Sequence, residues 1–431
     1  MKRHEVKIRA LCERTGTTDP RRNPEVSFRY IDISGIDRDA KRIATTVEIL
    51  GADAPSRARQ VVQKDDVLVS TVRPNLNAVA IVPVNLDGEI ASTGFCVLRA
   101  RKKVLVPQFL FYFTRTEPFI STLLQHVRGA SYPAVTDRNV LDVEIPWPAM
   151  SEQRRIVEIL DQADALRKKR AEADAKAARI LPALFYKMFG DPATNPKGWQ
   201  VKRLGDPRVA TINPKFSGDN VSADTEVSFV PMADVDEIWG RIVGKQVRKY
   251  SDVMRGFTPF RDGDVLFAKI TPCMQNGKGA IARNLVNGLG FGSTEFHVLR
   301  AGPLVTPEWL FALVRLAWFR RQAESSFTGT AGQQRVPANF LARYEIGCPP
   351  IDLQRKFAKA VVHIQEWVHQ KDRSRKGIED LFAVLLHHAF TGDLTAKWRE
   401  AHMKELLQEM EQQAKALETT NHAKNTKGET V

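Results

Sequence analysis

The sequence predicts an α+β protein: two mixed strand-and-helix domains separated by two long antiparallel helices in a pseudo-twofold arrangement. Three observations predict it. The chain repeats itself about 201 residues on, so that Ser92-Thr93-Gly94-Phe95-Cys96-Val97-Leu98-Arg99-Ala100 is echoed by Ser293-Thr294-Glu295-Phe296-His297-Val298-Leu299-Arg300-Ala301. Each copy passes from short apolar runs broken by Gly, Asp, Asn and Pro into a long segment rich in charge. Each long segment carries apolar residues at helical spacing. The period is far longer than the ~20–50 residues of a solenoid unit, so the repeat is a duplicated module of globular domain plus helix.

The first domain is expected over residues 1–150. Asp66–Pro74 reads as a strand stopped by its proline, Ala78–Val84 and Thr93–Leu98 as further strands, and Pro107–Gln125 as helical with Phe109, Leu110 and Phe113 on its buried face. A helical region follows over 151–190. Its predicted stripe is Ile156, Leu160, Ala163, Leu166, Ala171, Ala175 and Ala178, and Pro182 is expected to bend it because proline removes one backbone donor. The second domain, 191–351, repeats the order: Gly263–Pro272 echoes the Asp66–Pro74 strand and Pro307-Glu308-Trp309-Leu310 echoes Pro107-Gln108-Phe109-Leu110. The second helical region, 352–393, has the stripe Leu353, Phe357, Val361, Ile364, Val368, Ile378, Phe382, Leu385 and Ala389. Such stripes are unstable in water alone, and pairing the two rods buries both. An accessory helix is expected over 394–418 and a disordered tail over 419–431.

Composition narrows the function classes. A chain of 431 residues with 43% hydrophobic and 26% charged residues is a folded protein of more than one core. Its net charge of +14 attracts phosphate or an anionic surface. The four cysteines, Cys12, Cys96, Cys273 and Cys348, form no CxxC pair and no zinc spacing, so free thiols are expected. Met1-Lys2-Arg3-His4-Glu5 is not followed by an apolar run, and no apolar stretch is long enough for a membrane span. A cytoplasmic protein is expected.

The boundaries of the modules carry a family resemblance. Ile145-Pro146-Trp147-Pro148 leads into Ser151-Glu152-Gln153-Arg154-Arg155, and Cys348-Pro349-Pro350 into Asp352-Leu353-Gln354-Arg355-Lys356. Thr328-Gly329-Thr330-Ala331-Gly332-Gln333-Gln334-Arg335-Val336-Pro337 is a glycine-rich turn before the closing strand, Gly198-Trp199 opens the second domain, and Phe390-Thr391-Gly392-Asp393-Leu394-Thr395 closes the helical region. With these features the chain resembles the specificity subunit of type I restriction–modification systems over nearly its whole length. The first domain departs from the pattern: it lacks the Gly-Trp opening, and its turn is Arg128-Gly129-Ala130-Ser131-Tyr132-Pro133 without the glutamine pair. The resemblance implies two target-recognition domains that each read one half of a split site in double-stranded DNA. It implies paired conserved helices that set the gap and bind two modification (methyltransferase) subunits, joined by restriction/motor subunits.

Base reading needs directed polar groups, whereas any cation can hold a phosphate. The candidates lie in the loops after the echoed strands and in the two turns. They are Arg73, Asn75, Asn77, Arg128 and Ser131 in the first domain, and Lys269, Asn276, Lys278, Gln333, Gln334 and Arg335 in the second. Tyr132 is a further candidate, for stacking on a base. Catalytic, cofactor and metal residues are not expected. Asn213-Pro214-Lys215-Phe216 lacks the second proline of a methyltransferase motif, Gly288-Leu289-Gly290-Phe291-Gly292 reads as a turn, and no phosphate-binding G-x-x-x-x-G-K-[ST] loop is present. Asp66 and Asp264 are expected to shape turns. Two rival readings are a self-contained methyltransferase or nuclease with a fused recognition module, and a coiled-coil interaction protein without a target sequence.

Overall fold

The computed structural model describes residues 4–128, 133–244, 246–330 and 333–425. It divides into two compact units, one of residues 1–169 and 376–431 and one of residues 170–375.

In the first unit, Cys12–Glu13, Phe95–Ala100, Val67–Ser70 and Val79–Ile81 form an antiparallel sheet in that order. A second sheet has the order Val47–Leu50, Ser27–Ile31, Ile90–Ser92, Ala58–Val61, with a parallel pairing of Ser27–Ile31 and Ile90–Ser92. Glu5–Lys7 pairs with Glu144–Pro146 and closes the domain's ends on each other. The second unit repeats both sheets. Ala210–Ile212, Phe296–Ala301, Val265–Ala268 and Gly279–Ile281 make the antiparallel one. Gln246–Lys249, Glu226–Val230, Leu289–Gly292 and Thr258–Arg261 make the other, and Gln200–Arg203 pairs with Glu345–Cys348. This is the α+β class.

Several local expectations change for identifiable reasons. The Asp66–Pro74 strand stops at Ser70, because the Ser70 hydroxyl bonds Val72 locally and Arg73 takes a left-handed φ of 49°. The Pro107–Gln125 helix divides into Pro107–Phe113 and Glu117–Leu124. Pro118 cannot donate to the Thr114 carbonyl, and Thr116 caps the new start through the Phe119 N–H. The glycines at 290 and 292 belong to a central strand instead of a turn: a Cβ at Gly290 would strike the Phe260 ring and one at Gly292 the Val230 carbonyl.

The first long helix spans Met150–Ala178, and a second segment, Ile180–Phe189, follows. The break sits at Arg179, three residues before Pro182, since Pro182 removes the donor for the Ala178 carbonyl. The stripe also shifts. Gln153, Ile156, Leu160, Ala163, Asp174 and Ala177 are buried and Arg167 and Arg170 half-buried, whereas Leu166, Ala171 and Ala175 are exposed. That is the alternating three-and-four spacing of a heptad seam, which the predicted 3.6-residue stripe drifts off. Arginine stems fill the seam: Arg167 lies 4.4 Å from the Phe382 ring and pairs with Glu379 at 2.7 Å, while Arg170 pairs with Asp174 at 2.9 Å.

The other long helix is Ile351–Thr391. Within the first unit its closing residues Phe382 and Ala389 share a core with Ile156, Leu160 and Ala163, and Phe390 packs on Phe109 and Phe113 at 5.0 and 5.3 Å. Within the second unit its opening residue Phe357 packs on Phe185 and Phe189 at 5.8 and 5.2 Å, beside Trp309. Start meets end in each unit, so each by itself shows an antiparallel pairing.

The repeated glutamine of the module boundary has a structural task. Gln153 accepts from Val106 N–H at 2.9 Å and donates to the Val104 and Pro148 carbonyls at 3.2 and 2.9 Å. Gln354 accepts from Thr306 N–H at 3.0 Å and donates to Leu304 and Pro349 at 3.0 and 2.8 Å. Each is fully buried and staples a helix start to the loop before the domain's first core helix.

The first unit also holds Ala396–Ala401 and a closing helix, Met403–Asn425, which continues seven residues into the stretch expected to be a disordered tail. Glu152, buried, accepts from Thr395 Oγ1 at 2.6 Å and from Arg399 at 2.7 and 2.9 Å. Gln413 accepts from Met150 N–H at 2.8 Å, and Glu409 from Ser151 N–H at 3.1 Å. Gln413 and Glu409 satisfy donors at the start of the first long helix, and the Glu409 carboxylate complements its dipole. All four cysteines are free, with Cys12 and Cys96 buried.

Candidate nucleic-acid interface

The two units place their candidate residues on one shared backbone frame. In the first, Arg128 and Ala134 exchange backbone bonds of 3.0 Å, Val135 N–H donates to Thr71 at 2.9 Å, Thr71 N–H donates to Gly94 at 2.9 Å, and Arg73 N–H to Pro133 at 2.7 Å. In the second, Thr328 and Arg335 exchange bonds of 3.0 and 2.9 Å, Val336 N–H donates to Lys269 at 2.9 Å, Lys269 N–H to Glu295 at 2.9 Å, and Thr271 N–H to Gln334 at 3.0 Å. The turn before the closing strand is thus sewn to the end of a central strand and to the start of its neighbour. Gly329 at φ 111° belongs to that turn, and a Cβ there would sit 3.0 Å from the Gln333 carbonyl.

At the opposite end of each of these strands from the turn lies a matched ion pair on a buried carboxylate. Asp66 receives Arg99 at 2.7 and 2.9 Å and Gln63 N–H at 2.7 Å. Asp264 receives Arg300 at 2.8 Å through two nitrogens and Arg261 N–H at 2.8 Å. Both carboxylates are 1% exposed, so they shape the strand's entry turn and are closed to a metal. Among the described residues no group of three or more His, Cys, Asp or Glu is arranged to hold a metal ion, and no helix is long and apolar enough to cross a membrane.

The candidates divide by what already engages them. In the first unit Arg73, Asn75 and Arg128 are exposed. Asn77 is committed internally: its amide donates to the Thr114 carbonyl at 2.8 Å, and its side-chain and main-chain oxygens accept from Lys41 Nζ at 2.8 and 2.6 Å. Burial, with Arg115 nearby, brings the Lys41 ammonium down to about 8. Ser131 and Tyr132 lie outside the described residues. In the second unit Gln333 is exposed and Gln334 half-buried, its N–H donating to Thr271 Oγ1 at 3.2 Å. Asn276 is exposed, with its amide 3.5 Å from Glu237. Lys278 Nζ donates to the Met232 carbonyl at 3.3 Å, and Lys269 is half-buried.

Arg335 is held in a chelate. Its Nε and Nη2 donate to both Glu295 oxygens, with closest distances of 2.9 and 2.7 Å, and its Nη1 donates to the Gln333 carbonyl at 2.9 Å. The Arg335 guanidinium holds the Glu295 carboxyl below its ordinary range. Next to it, His297 is buried. Asn213 Oδ1 accepts from Val298 N–H at 3.0 Å, which turns the Asn213 amide toward His297 Nδ1 at 3.0 Å. The other ring nitrogen, Nε2, therefore carries the proton and donates to the Val336 carbonyl at 2.8 Å. Burial pushes the imidazole below its ordinary value, with Lys269 and Glu295 the nearby charges. Sequence reasoning missed Glu295, His297 and Asn213. The repeat held the signal, because Glu295 and His297 stand where the first copy has Gly94 and Cys96.

Comparison with known proteins matches this architecture. A family model described as the type I restriction modification DNA specificity domain matches residues 42–174. The type I restriction enzyme EcoEI and EcoAI specificity subunits of Escherichia coli are each 32% identical over 216 residues, 48% of this chain. The matched stretch is 36% of the length of each of those relatives. A solved chain from work on complex assembly and conformational transition of the type I R-M system is 29% identical with a TM-score of 0.50, covering 91% of this chain and 98% of that one. The HsdS subunit from Thermoanaerobacter tengcongensis is 31% identical with a TM-score of 0.42, covering 91% of this chain and 97% of its own. The chain belongs to the specificity-subunit family of type I restriction–modification systems. For a specificity subunit, the paired turns on a common frame are the natural candidates for reading elements, and the difference between them is the informative feature.

Proposed function

We propose that this chain is the DNA-sequence-recognition subunit of a type I restriction–modification complex, reading a bipartite, asymmetric site in duplex DNA. The observation that carries it is one backbone frame bearing two different sets of polar side chains: Arg73, Asn75 and Arg128 in one unit, Gln333 and Gln334 in the other. Equal frames suit equal duplex geometry, and unequal side chains select unequal half-sites. The net charge of +14 supplies the sequence-independent attraction to phosphate. The chain performs neither methylation nor cleavage. It positions two adenine-methyltransferase subunits, and with them the restriction/motor subunits, in the cytoplasm, with the long helices setting the gap between half-sites.

The test is a genome-wide map of methylated adenine with the chain present and with it deleted. Loss of one split, asymmetric methylation pattern on deletion is the expected result. An unchanged map would overturn the proposal.

A further inference from the structure

We infer that the Glu295–Arg335 chelate is a positioning device that sets the Gln333-Gln334 segment for base reading, and that Arg335 itself touches no base. The inference rests on the proposed DNA-reading function and names how one half-site is read. A guanidinium can grip guanine O6 and N7 only with its paired donors free. In Arg335 the Nε–Nη2 pair is spent on both oxygens of Glu295 and Nη1 donates to the Gln333 carbonyl, so each of its three nitrogens is already engaged. The carboxylate it grips immediately precedes a central strand, Phe296–Ala301, so the anchor is tied to the sheet. The carbonyl it grips belongs to the residue that points outward. Arg335 thereby transmits the position of a fixed strand to Gln333. Thr271 completes the hold, its N–H bonding the Gln334 carbonyl and its hydroxyl the Gln334 N–H. His297 fixes the residue after Arg335 by donating to the Val336 carbonyl.

What this leaves for recognition is the side-chain amide of Gln333, exposed and carried on a braced backbone, with Gln334 beside it. A glutamine amide pairs bidentately with adenine N6 and N7. The half-site read by the second unit therefore contains an adenine whose selection depends on Gln333 directly and on Glu295 and Arg335 indirectly. The first unit has Gly94 and Ala134 at the corresponding positions, and neither residue type can form such a pair.

The test selects bound DNA from a randomised duplex library with the purified full-length chain and four variants: Gln333→Ala, Glu295→Gln, Arg335→Ala, and the reversed pair Glu295→Arg with Arg335→Glu. Glu295→Gln keeps the side chain's shape and lies at a partly exposed position, so thermal melts should match the parent. Gln333→Ala should lose the preference for adenine at one position of one half-site. Glu295→Gln and Arg335→Ala should each lower discrimination at that half-site about tenfold, with the other half-site intact. The reversed pair should not recover it, because a glutamate at 335 restores the ion pair but cannot donate to the Gln333 carbonyl. Affinity for random duplex and its salt dependence should stay within about twofold of the parent, because no phosphate contact is removed.

Three results would overturn the inference. One is a loss on Arg335→Ala with none on Glu295→Gln, which would make Arg335 a reader. Another is a salt slope lowered by about one on Arg335→Ala, which would make it a phosphate contact. The third is unchanged discrimination in every variant. If the parent chain selects no split site, the proposed function itself fails, and that outcome is separate from all three.

Discussion

Gly94 and Ala134 in the first unit occupy the places of Glu295 and Arg335 in the second, while Asp66–Arg99 and Gln153 recur as Asp264–Arg300 and Gln354. The recurring carboxylates and glutamines are buried; Glu295 and Arg335 are partly exposed. A buried carboxylate that loses its partner, or a buried amide that loses an acceptor, is costly wherever the module stands. A half-exposed pair contributes little to stability and is open to change with the target. The comparison teaches that the polar network of each unit has two layers, one that makes the domain and one that makes it selective.

The first way to break this comparison is to remove the buried layer. Asp66→Ala and Asp264→Ala each leave an arginine without its buried partner and should each cost about 3 kcal/mol in chemical denaturation of the respective unit. Unequal losses would mean that the two frames are not equivalent.

A smaller effect should separate the two staples. Val104 O, which Gln153 serves, also accepts from Trp147 Nε1 at 2.8 Å and Gln413 Nε2 at 3.4 Å. Leu304 O, which Gln354 serves, has only the weak Cys348 Sγ contact at 3.7 Å besides it among the described bonds. Gln354→Leu should therefore cost about 2 kcal/mol and Gln153→Leu about 1 kcal/mol, read from the same denaturation curves. The reverse order would show that the closing helix does not support the first staple.

The smallest effect is confined to the second unit and to acid. The imidazole of His297 is held below its ordinary value of 6.5, so the folded state binds its proton less readily than the unfolded chain. Its contribution is complete above pH 6.5 and is lost as pH falls through 6.5 toward the depressed value. Thermal melts from pH 7 to pH 5 should fall more steeply for the parent than for His297→Cys, which installs the residue type of Cys96. Parallel curves would remove His297 from the brace.

Much of the fold was legible in the sequence because the duplication exposed it. The repeat located the central strand pairs and both long helices. It marked Asp66 and Asp264 as turn-shaping by keeping them while their neighbours changed. Three features were not legible. The stripe of the first long helix was read through Leu166, Ala171 and Ala175, whereas the seam runs through Arg167, Arg170 and Asp174, because arginine stems bury as aliphatic chains once an aromatic face is present. Asn77 and Arg335 were read as base contacts by residue type, yet Lys41, Thr114, Glu295 and Gln333 engage them. Glycines at 290 and 292 read as a turn, since nothing local announced the Phe260 ring that lies against Gly290.

By itself the sequence determined the α+β class, the twofold repetition of domain and helix, the basic surface and the family, because these follow from periodicity, composition and spacing along the chain. Only the tertiary structure decided which polar residues support and which are presented, because hydrogen bonding between residues distant in the chain depends on distance and direction in space. Glu295 and Arg335 are 40 positions apart and meet at 2.7 Å; nothing in either residue's neighbourhood along the chain announces the other.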